Sequence, residues 1–546
     1  MTTTASSLTL GQLIQSKAER SPDTIVLRFI NTGRPDEIVT YGSLATSAHK
    51  LAVTLHHRGL TRGTTFAVMM RNHPEFVYAL VAASLLGAIC VPVDPRARGE
   101  VLRAQLGHAE CRGLLVADYA LPQVLSVLSQ LPDMRVVYVL HTGEEGALEA
   151  TCSRWDCLNT CLEGPDVHLP HIAGEANQTL EIMYTSGTTG SPRGVLLDNR
   201  RILEFRALGK LIFGYRPDDR LYTGLSLAHG NAQAVTLMGA LGQGIEAVFT
   251  RRFTKQHLWD ITRAYGITVF SLLGGMATAI YSEPVRPNDS DNPVRLVTSA
   301  GMPAAIWAAF EQRFQVRILE WYGAVEGGFV YKPVGEGPIG SCGRLSPGYD
   351  VRVVDANGQD CPPGTVGELL FRPTGASATV DYWRNPEASA HKTRVGWLHS
   401  GDMVHRDTEG YLFFHYRQGE TIRRNGEFIN PDAIARVLAE HPAVTDVCVY
   451  GVPARSGAPG EHDIVAAVVP TDRTQFNPTS IFAACHQALP ANAMPSYLHV
   501  MPALPKTLSE KPQKRLLREH FDPHGSDVFT PSPPVLIPSP SGRGLG

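Results

Sequence analysis

Between Tyr41 and about Gly323 the chain alternates short apolar runs with helical patterns, and this rhythm limits the possible folds more than any other feature. Leu44, Ala48, Leu51 and Leu55 share one helical face, with Thr40 placed to cap the helix and Gly59 to stop it. Residues 66–70 read as a buried strand, Asn72 and Pro74 open a helix that ends near Gly87, and residues 89–93 form the next strand. Runs at 113–117 and 135–140 continue the pattern. Strand–helix–strand repetition implies parallel strands, because each crossover returns the chain to run in the same direction, and helices then cover both faces of the sheet. The apolar stretch 78–93 is interrupted by Ser84, Gly87 and Pro92, so it predicts a buried helix and strand instead of a bilayer span.

After Gly328 the texture changes to short strands and turns, at 351–354, 367–371 and 411–414. Near residue 420 a third texture starts: a helix over 431–440, strands over 444–450 and 465–469, and a helix opened by Asn477-Pro478. From Pro523 onward the Pro- and Ser-rich composition predicts disorder. A chain of 546 residues exceeds one ordinary core. The predicted domains are 1–419, 420–522 and a disordered tail, 523–546. With 49 basic against 52 acidic residues, the net charge of −3 carries no footprint for nucleic acid. Nine scattered cysteines predict reduced thiols and a cytoplasmic enzyme, and the cluster Cys152, Cys157 and Cys161 matches no common metal-ligand spacing. The opening residues, 1–7, have no basic start before an apolar core, so no secretory leader is expected.

One turn carries most of the chemistry. Thr185-Ser186-Gly187-Thr188-Thr189-Gly190-Ser191-Pro192-Arg193-Gly194 follows the apolar pair Ile182-Met183. Its glycines let the backbone approach a ligand closely, and its N–H groups and hydroxyls make an anion-binding concavity. Arg193 adds fixed positive charge, which suits a polyphosphate. No Gly-Lys-Ser/Thr follows at Walker spacing. Elsewhere, Glu326 follows the apolar run 316–319, at the strand end where open α/β sheets bind ligands, and glutamate is a suitable hard oxygen ligand for Mg²⁺. Read alone, Asp402 is a Gly-Asp turn residue, residues 421–431 a charged hairpin, and the region of Lys506, Lys514, Arg515 and Arg518 around Lys511 an ordinary basic stretch. A lone His229 in an apolar run is more often a core histidine than a catalytic base.

Taken together and in order, these segments resemble the adenylate-forming (AMP-binding) superfamily, with wording nearest to acyl-CoA synthetases of the carnitine-CoA ligase type. The resemblance runs from Tyr41 to about Phe521. It implies an α/β fold: a large multi-sheet N-terminal domain with parallel sheets and a distorted β-barrel, plus a small mobile α+β C-terminal domain. It implies that Thr185, Ser186, Gly187, Thr188, Thr189, Gly190 and Arg193 hold the phosphates of ATP, and that Glu326 holds Mg²⁺. Ser299, Ala300 and Gly301 would cradle adenine, in company with Tyr322 and Gly323, while Asp402 and Arg417 would hold the ribose. His229, Gly230, Gly274, Gly275 and Gly327 would line the acyl pocket, and Gly426 the tunnel for the coenzyme A thiol. Gly419 and Glu420 would form the hinge, and Lys511, at the matching offset from Pro505 and Thr507, would reach the reacting phosphate. Thr185, Glu326 and Lys511 are the expected catalytic set. The implied partners are a small carboxylic acid, ATP and coenzyme A, with no nucleic acid and no membrane span; a homodimer is compatible with it.

Several positions depart from the family wording: Arg193 for lysine, Val325 for threonine, Asn199 for histidine, Tyr416 for an acidic residue and Glu510 for glycine. Three readings follow. The chain is a carboxylic acid–CoA ligase, an enzyme adenylating an acid for a carrier protein in trans, or a nucleotide- or acyl-binding homologue whose catalysis has decayed.

Overall fold

The structure is a computed structural model and describes residues 8–144, 155–167, 169, 174–185, 193–418, 422–424, 427–455, 462–507 and 510–531. The chain divides into two compact units, Met1–Phe414 and His415–Gly546, a division that falls ahead of the 419/420 boundary expected.

Two mixed sheets with parallel cores build the large unit. In the nine-stranded sheet, Ile25–Ile30, Glu246–Thr250, Arg220–Thr223, Val269–Leu273, Leu296–Ala300 and Arg317–Ala324 run parallel, and antiparallel strands close both ends. The seven-stranded sheet has Thr65–Met69 and Ile89–Pro92 at its centre and ends in the antiparallel hairpin Thr179–Thr185/Arg193–Asp198. Helix Tyr41–His57 starts at Thr40, whose side chain accepts from Ser43 N–H, and Gly59 follows at φ 79°. Helix Pro74–Leu86 is apolar around its whole circumference and buried apart from Glu75, as a helix with no polar face must be. Gly87 ends it at φ 67°.

A third sheet of four strands, Tyr349–Val354, Gly367–Pro373, Leu398–Arg406 and Leu412–Arg417, stands where a distorted β-barrel is expected. It is open, and among the described residues no sheet closes on itself. The small unit carries the hairpin Ile422–Arg424/Glu427–Ile429 and a sheet of Val444–Pro453, His462–Pro470, Tyr497–Val500 and Val528–Phe529, packed with helices Pro431–Ala439 and Pro478–Ala488. The disorder expected from Pro523 is corrected for residues 523–531; residues 532–546 lie outside the described residues. Val528–Phe529 pairs antiparallel with Tyr497–Val500, and both apolar side chains pack on the small unit's clusters. Their local pairing outweighs the prolines further on. No described helix is long and apolar enough to cross a membrane.

Desolvation raises the proton affinity of three carboxyls in the large unit. Burial pushes Glu75 up to about 7, and Glu181 and Glu320 up to about 8, from the ordinary 4.5. Between pH 5 and 8 the folded chain keeps protons that the unfolded chain has lost, so stability falls as pH rises. The expected slope is on the order of 1 kcal/mol per pH unit for each group, levelling off above pH 8. Melting temperatures across pH 5–9 check this. Glu181→Gln should flatten the curve, and an unchanged slope would contradict the assignment.

Candidate active site

The hairpin that frames the candidate phosphate turn reads differently on its two faces. Side chains alternate along Thr179–Thr185, so Glu181, Met183 and Thr185 form one row. Ile182 and Tyr184 point the other way, into the cluster around Val91 and Val116. Thr185 pairs with Arg193 at the mouth of the hairpin. Ser186, Gly187, Thr188, Thr189 and Gly190 lie outside the described residues. The outer strand takes a further partner: Leu196 N–H donates to the Asp381 carbonyl at 2.9 Å, and Trp383 N–H to the Gly194 carbonyl at 2.7 Å. This brings Tyr382 beside Arg193, whose guanidinium lies 6.0 Å from the ring centre. The Tyr382 hydroxyl donates to Glu326 Oε1 at 3.2 Å. Arg193 and Glu326 therefore meet at one tyrosine, with Thr185 opposite Arg193 in the hairpin.

Glu326 sits in the tight connection between antiparallel strands Arg317–Ala324 and Gly327–Lys332, where Gly327 and Gly328 take φ 136° and 77°. These two glycines, and Gly230, lie close against neighbouring side chains. A Cβ on Gly328 would lie 2.5 Å from the Phe371 ring, one on Gly327 would lie 3.2 Å from Leu398, and one on Gly230 would lie 2.9 Å from Val325 and 3.2 Å from Met183 Sδ. At these points the absent side chains serve close approach. Phe371 in turn stacks on Tyr322 at 6.0 Å and 11°, and the Tyr322 hydroxyl donates to the Asp402 carboxylate. Gly323 lies between this tyrosine and the turn, paired with Phe329.

Asp402 is buried within strand Leu398–Arg406, where the pairing is irregular and the backbone turns at Gly401, φ 78°. Glu368 holds the turn, accepting Gly401 N–H at 3.1 Å through one oxygen and meeting His399 Nδ1 at 2.9 Å through the other. Ser400 Oγ accepts Asp402 N–H at 2.9 Å. The Ser299–Gly301 corner is held in a similar way. Buried Glu320 accepts Gly301 N–H at 2.5 Å and Met302 N–H at 3.1 Å, and Gly274 lets its backbone approach so closely that a Cβ would stand 2.2 Å from the Gly301 carbonyl oxygen. Ala300 ends the strand entering this corner, and Gly275 belongs to helix Gly274–Tyr281. Sequence reasoning missed Glu320 and Glu368. For Glu320 the available signal was a carboxylate inside the apolar run Ile318-Leu319-Glu320-Trp321.

In the small unit, Arg417 ends strand Leu412–Arg417, while Gly419, Glu420 and Gly426 lie outside the described residues. The basic stretch sorts itself by partner. Lys506 Nζ pairs with Asp446 at 2.5 Å, Arg515 with Glu519 at 2.7 Å, and Arg518 Nε donates to the Gly451 carbonyl at 3.0 Å. The Lys511 side chain is exposed, on a loop pinned by hydrogen bonds between Thr507 and the Lys511 backbone at 2.8 and 3.2 Å. Glu510 holds φ 59°, so the glycine-like turn persists without glycine. Asn199 is a brace: its Oδ1 accepts from Leu10 N–H at 3.0 Å and from Ser84 Oγ at 2.7 Å.

Gly328→Ala and Gly401→Ala impose the same left-handed strain, but a methyl group at 401 meets nothing within 4 Å. The expected losses in chemical denaturation are about 1 kcal/mol for Gly401→Ala and about 2–4 kcal/mol for Gly328→Ala, which must also displace the Phe371 ring. Equal losses would show that the ring is not held there.

Residues 14–383 match the family of AMP-binding enzymes, and residues 433–511 match the AMP-binding enzyme C-terminal domain. The medium/long-chain-fatty-acid–CoA ligase FadD17 of Mycobacterium marinum is 29% identical over 461 residues, covering 84% of this chain and 86% of that protein. The crotonobetaine/carnitine–CoA ligase of Salmonella typhi is 26% identical over 487 residues, covering 88% and 93%. In fold, the chain is similar to the anthranilate CoA ligase AuaEII crystallised with anthranoyl-AMP, with TM-score 0.80, 22% identity, and coverage of 95% and 98%. The chain belongs to the AMP-binding enzyme family, the adenylate-forming enzymes that include these acyl-CoA ligases.

Proposed function

We propose that the chain is an ATP-dependent carboxylic acid–CoA ligase working through an acyl-adenylate. The observation that carries this reading is the meeting of Arg193 and Glu326 at Tyr382, with Thr185 opposite Arg193 and the Tyr322–Asp402 pair on the strand before Glu326. A cation, a hydroxyl and a carboxylate are groups that a triphosphate and its metal require, and Asp402 adds a buried carboxylate suited to two ribose hydroxyls.

A carboxylate is a poor electrophile because its own charge repels nucleophiles. In the first half-reaction its oxygen attacks the α-phosphorus of ATP, the bond to the β-phosphate oxygen breaks, and pyrophosphate leaves. In the second, the coenzyme A sulfur attacks the acyl carbon, the carbon–oxygen bond to AMP breaks, and the thiol proton is lost to solvent. Thr185, Arg193 and the turn between them bind the phosphates, Asp402 and Arg417 hold the ribose, and the Glu320-braced corner at Ser299–Gly301 accepts adenine. Lys511 stabilises the charge that develops on the α-phosphate. Glu326 would hold Mg²⁺, which when bound neutralises phosphate charge; one carboxylate plus phosphates and water fits this ion. The small domain turns about Gly419-Glu420 between the half-reactions, bringing the Gly426 loop forward for coenzyme A. All cysteines in the described residues are free thiols, which suits a cytoplasmic setting. The Asn199 brace and the retained turn at Glu510 weigh against catalytic decay.

A panel of acids, led by medium- and long-chain fatty acids, is expected to give acid-dependent pyrophosphate release and acyl-CoA. Lys511→Ala should slow adenylation about a hundredfold or more, while thioester formation from preformed acyl-adenylate persists. Equal loss in both halves would assign Lys511 a structural role, and the absence of acid-dependent release with every acid would overturn the ligase reading.

A further inference from the structure

Glu181 is a buried acid that none of the steps above uses. It stands in the strand that delivers Thr185, fully enclosed, and its Oε1 accepts from Gln233 Nε2 at 2.7 Å. The same nitrogen donates to the Leu227 carbonyl at 2.9 Å. Gln233 belongs to the π-helical turn Ala232–Leu237, an irregularity that recurs at functional sites. Alternation along the strand then makes a ladder: Gln233 meets Glu181, Gly230 meets Met183, and the next rung is Thr185 at the candidate phosphate turn. The segment carrying His229 and Gly230 is also pinned by Asn72, which donates to the Leu225 carbonyl at 2.9 Å and accepts Leu227 N–H at 2.8 Å.

We propose that the Glu181–Gln233 hydrogen bond is a positioning link of the adenylating site, fixing the distance between the strand that ends at Thr185 and the His229–Gln233 segment of the acyl pocket. The proposal rests on the ligase reading above. Its physical content is that two substrates must meet. The phosphate turn places ATP, the Gly230 segment places the acid, and in-line attack tolerates little error between them. A Gln–Glu bridge between the two elements sets that spacing.

The link works with an uncharged acid. Glu181 Oε2 has no partner among the described residues, and burial alone outweighs the Gln233 amide in setting its proton affinity. On the adjacent strand Cys90 is the titratable neighbour, itself pushed well up by burial, and on the other side Glu181 pairs with Leu197. Ionisation at alkaline pH would place an unpartnered charge in the core and loosen the link.

The test uses the full-length enzyme with an acid found active in the panel, reading ATP–pyrophosphate exchange between pH 6.5 and 9.5. Glu181→Gln keeps a neutral acceptor, so exchange at pH 7 should stay within about threefold of wild type, and the alkaline decline of wild type should shrink. Glu181→Met removes the hydrogen bond at similar volume and should raise the acid's KM about tenfold or more while the KM for ATP changes little. Gln233→Leu should give the same signature, and the double variant should be no worse than either, since both remove one interaction. If Glu181→Met folds poorly, Gln233→Leu alone carries the KM comparison. Wild-type KM values and an unaltered pH profile in these variants would overturn the link and leave the ligase reading intact. Absence of exchange in wild type with every acid would remove both.

Discussion

Strand Thr179–Thr185 is the constraint on which the site depends. One face is committed to the core of the seven-stranded sheet through Ile182 and Tyr184, so the strand can neither slip nor rotate without exposing that face. The opposite row is thereby fixed, and it ends at Thr185, paired with Arg193 across the hairpin mouth. Residues 381–383 then add to the outer strand and bring Tyr382 within reach of both Arg193 and Glu326. A candidate phosphate site assembled from distant parts of the chain is thus held by ordinary sheet pairing.

Buried carboxyls act as fasteners for the loops around that strand. Glu320 ties the corner at Gly301 and Met302, Glu368 ties the turn at Gly401, and Glu181 ties the segment at Gln233. Each satisfies main-chain or amide donors that would otherwise be stranded away from water, where an unmet donor costs about 1–3 kcal/mol. Burial raises the proton affinity of Glu181 and Glu320, and the uncharged form accepts those donors without a buried charge. Glycines complete the arrangement where backbones meet, as Gly274 does against Gly301.

Much of the architecture was legible because it follows from periodicity. The pattern at Leu44, Ala48, Leu51 and Leu55 predicted helix Tyr41–His57, and the all-apolar run to Gly87 predicted the buried helix Pro74–Leu86. The motif order identified the family. Three things were not legible. The barrel expectation gave way to an open sheet, because strand spacing in sequence does not reveal closure. The pair Val528–Phe529 is too short to outweigh a proline-rich composition by eye, yet it pairs as an edge strand. Glu181, Glu320 and Glu368 were passed over because their roles depend on donors from other segments, which no local pattern announces.

What the account asserts chemically is that a carboxylate oxygen becomes bonded to the α-phosphorus of ATP. The most direct test is oxygen transfer: the enzyme is run to product with a carboxylic acid carrying ¹⁸O in its carboxylate, and the AMP is analysed by mass spectrometry or phosphorus NMR. The account predicts one ¹⁸O in each AMP formed, because thiolysis breaks the acyl carbon–oxygen bond and leaves the acid's oxygen on phosphorus. AMP without label, or label recovered in inorganic phosphate alongside ADP, would contradict it.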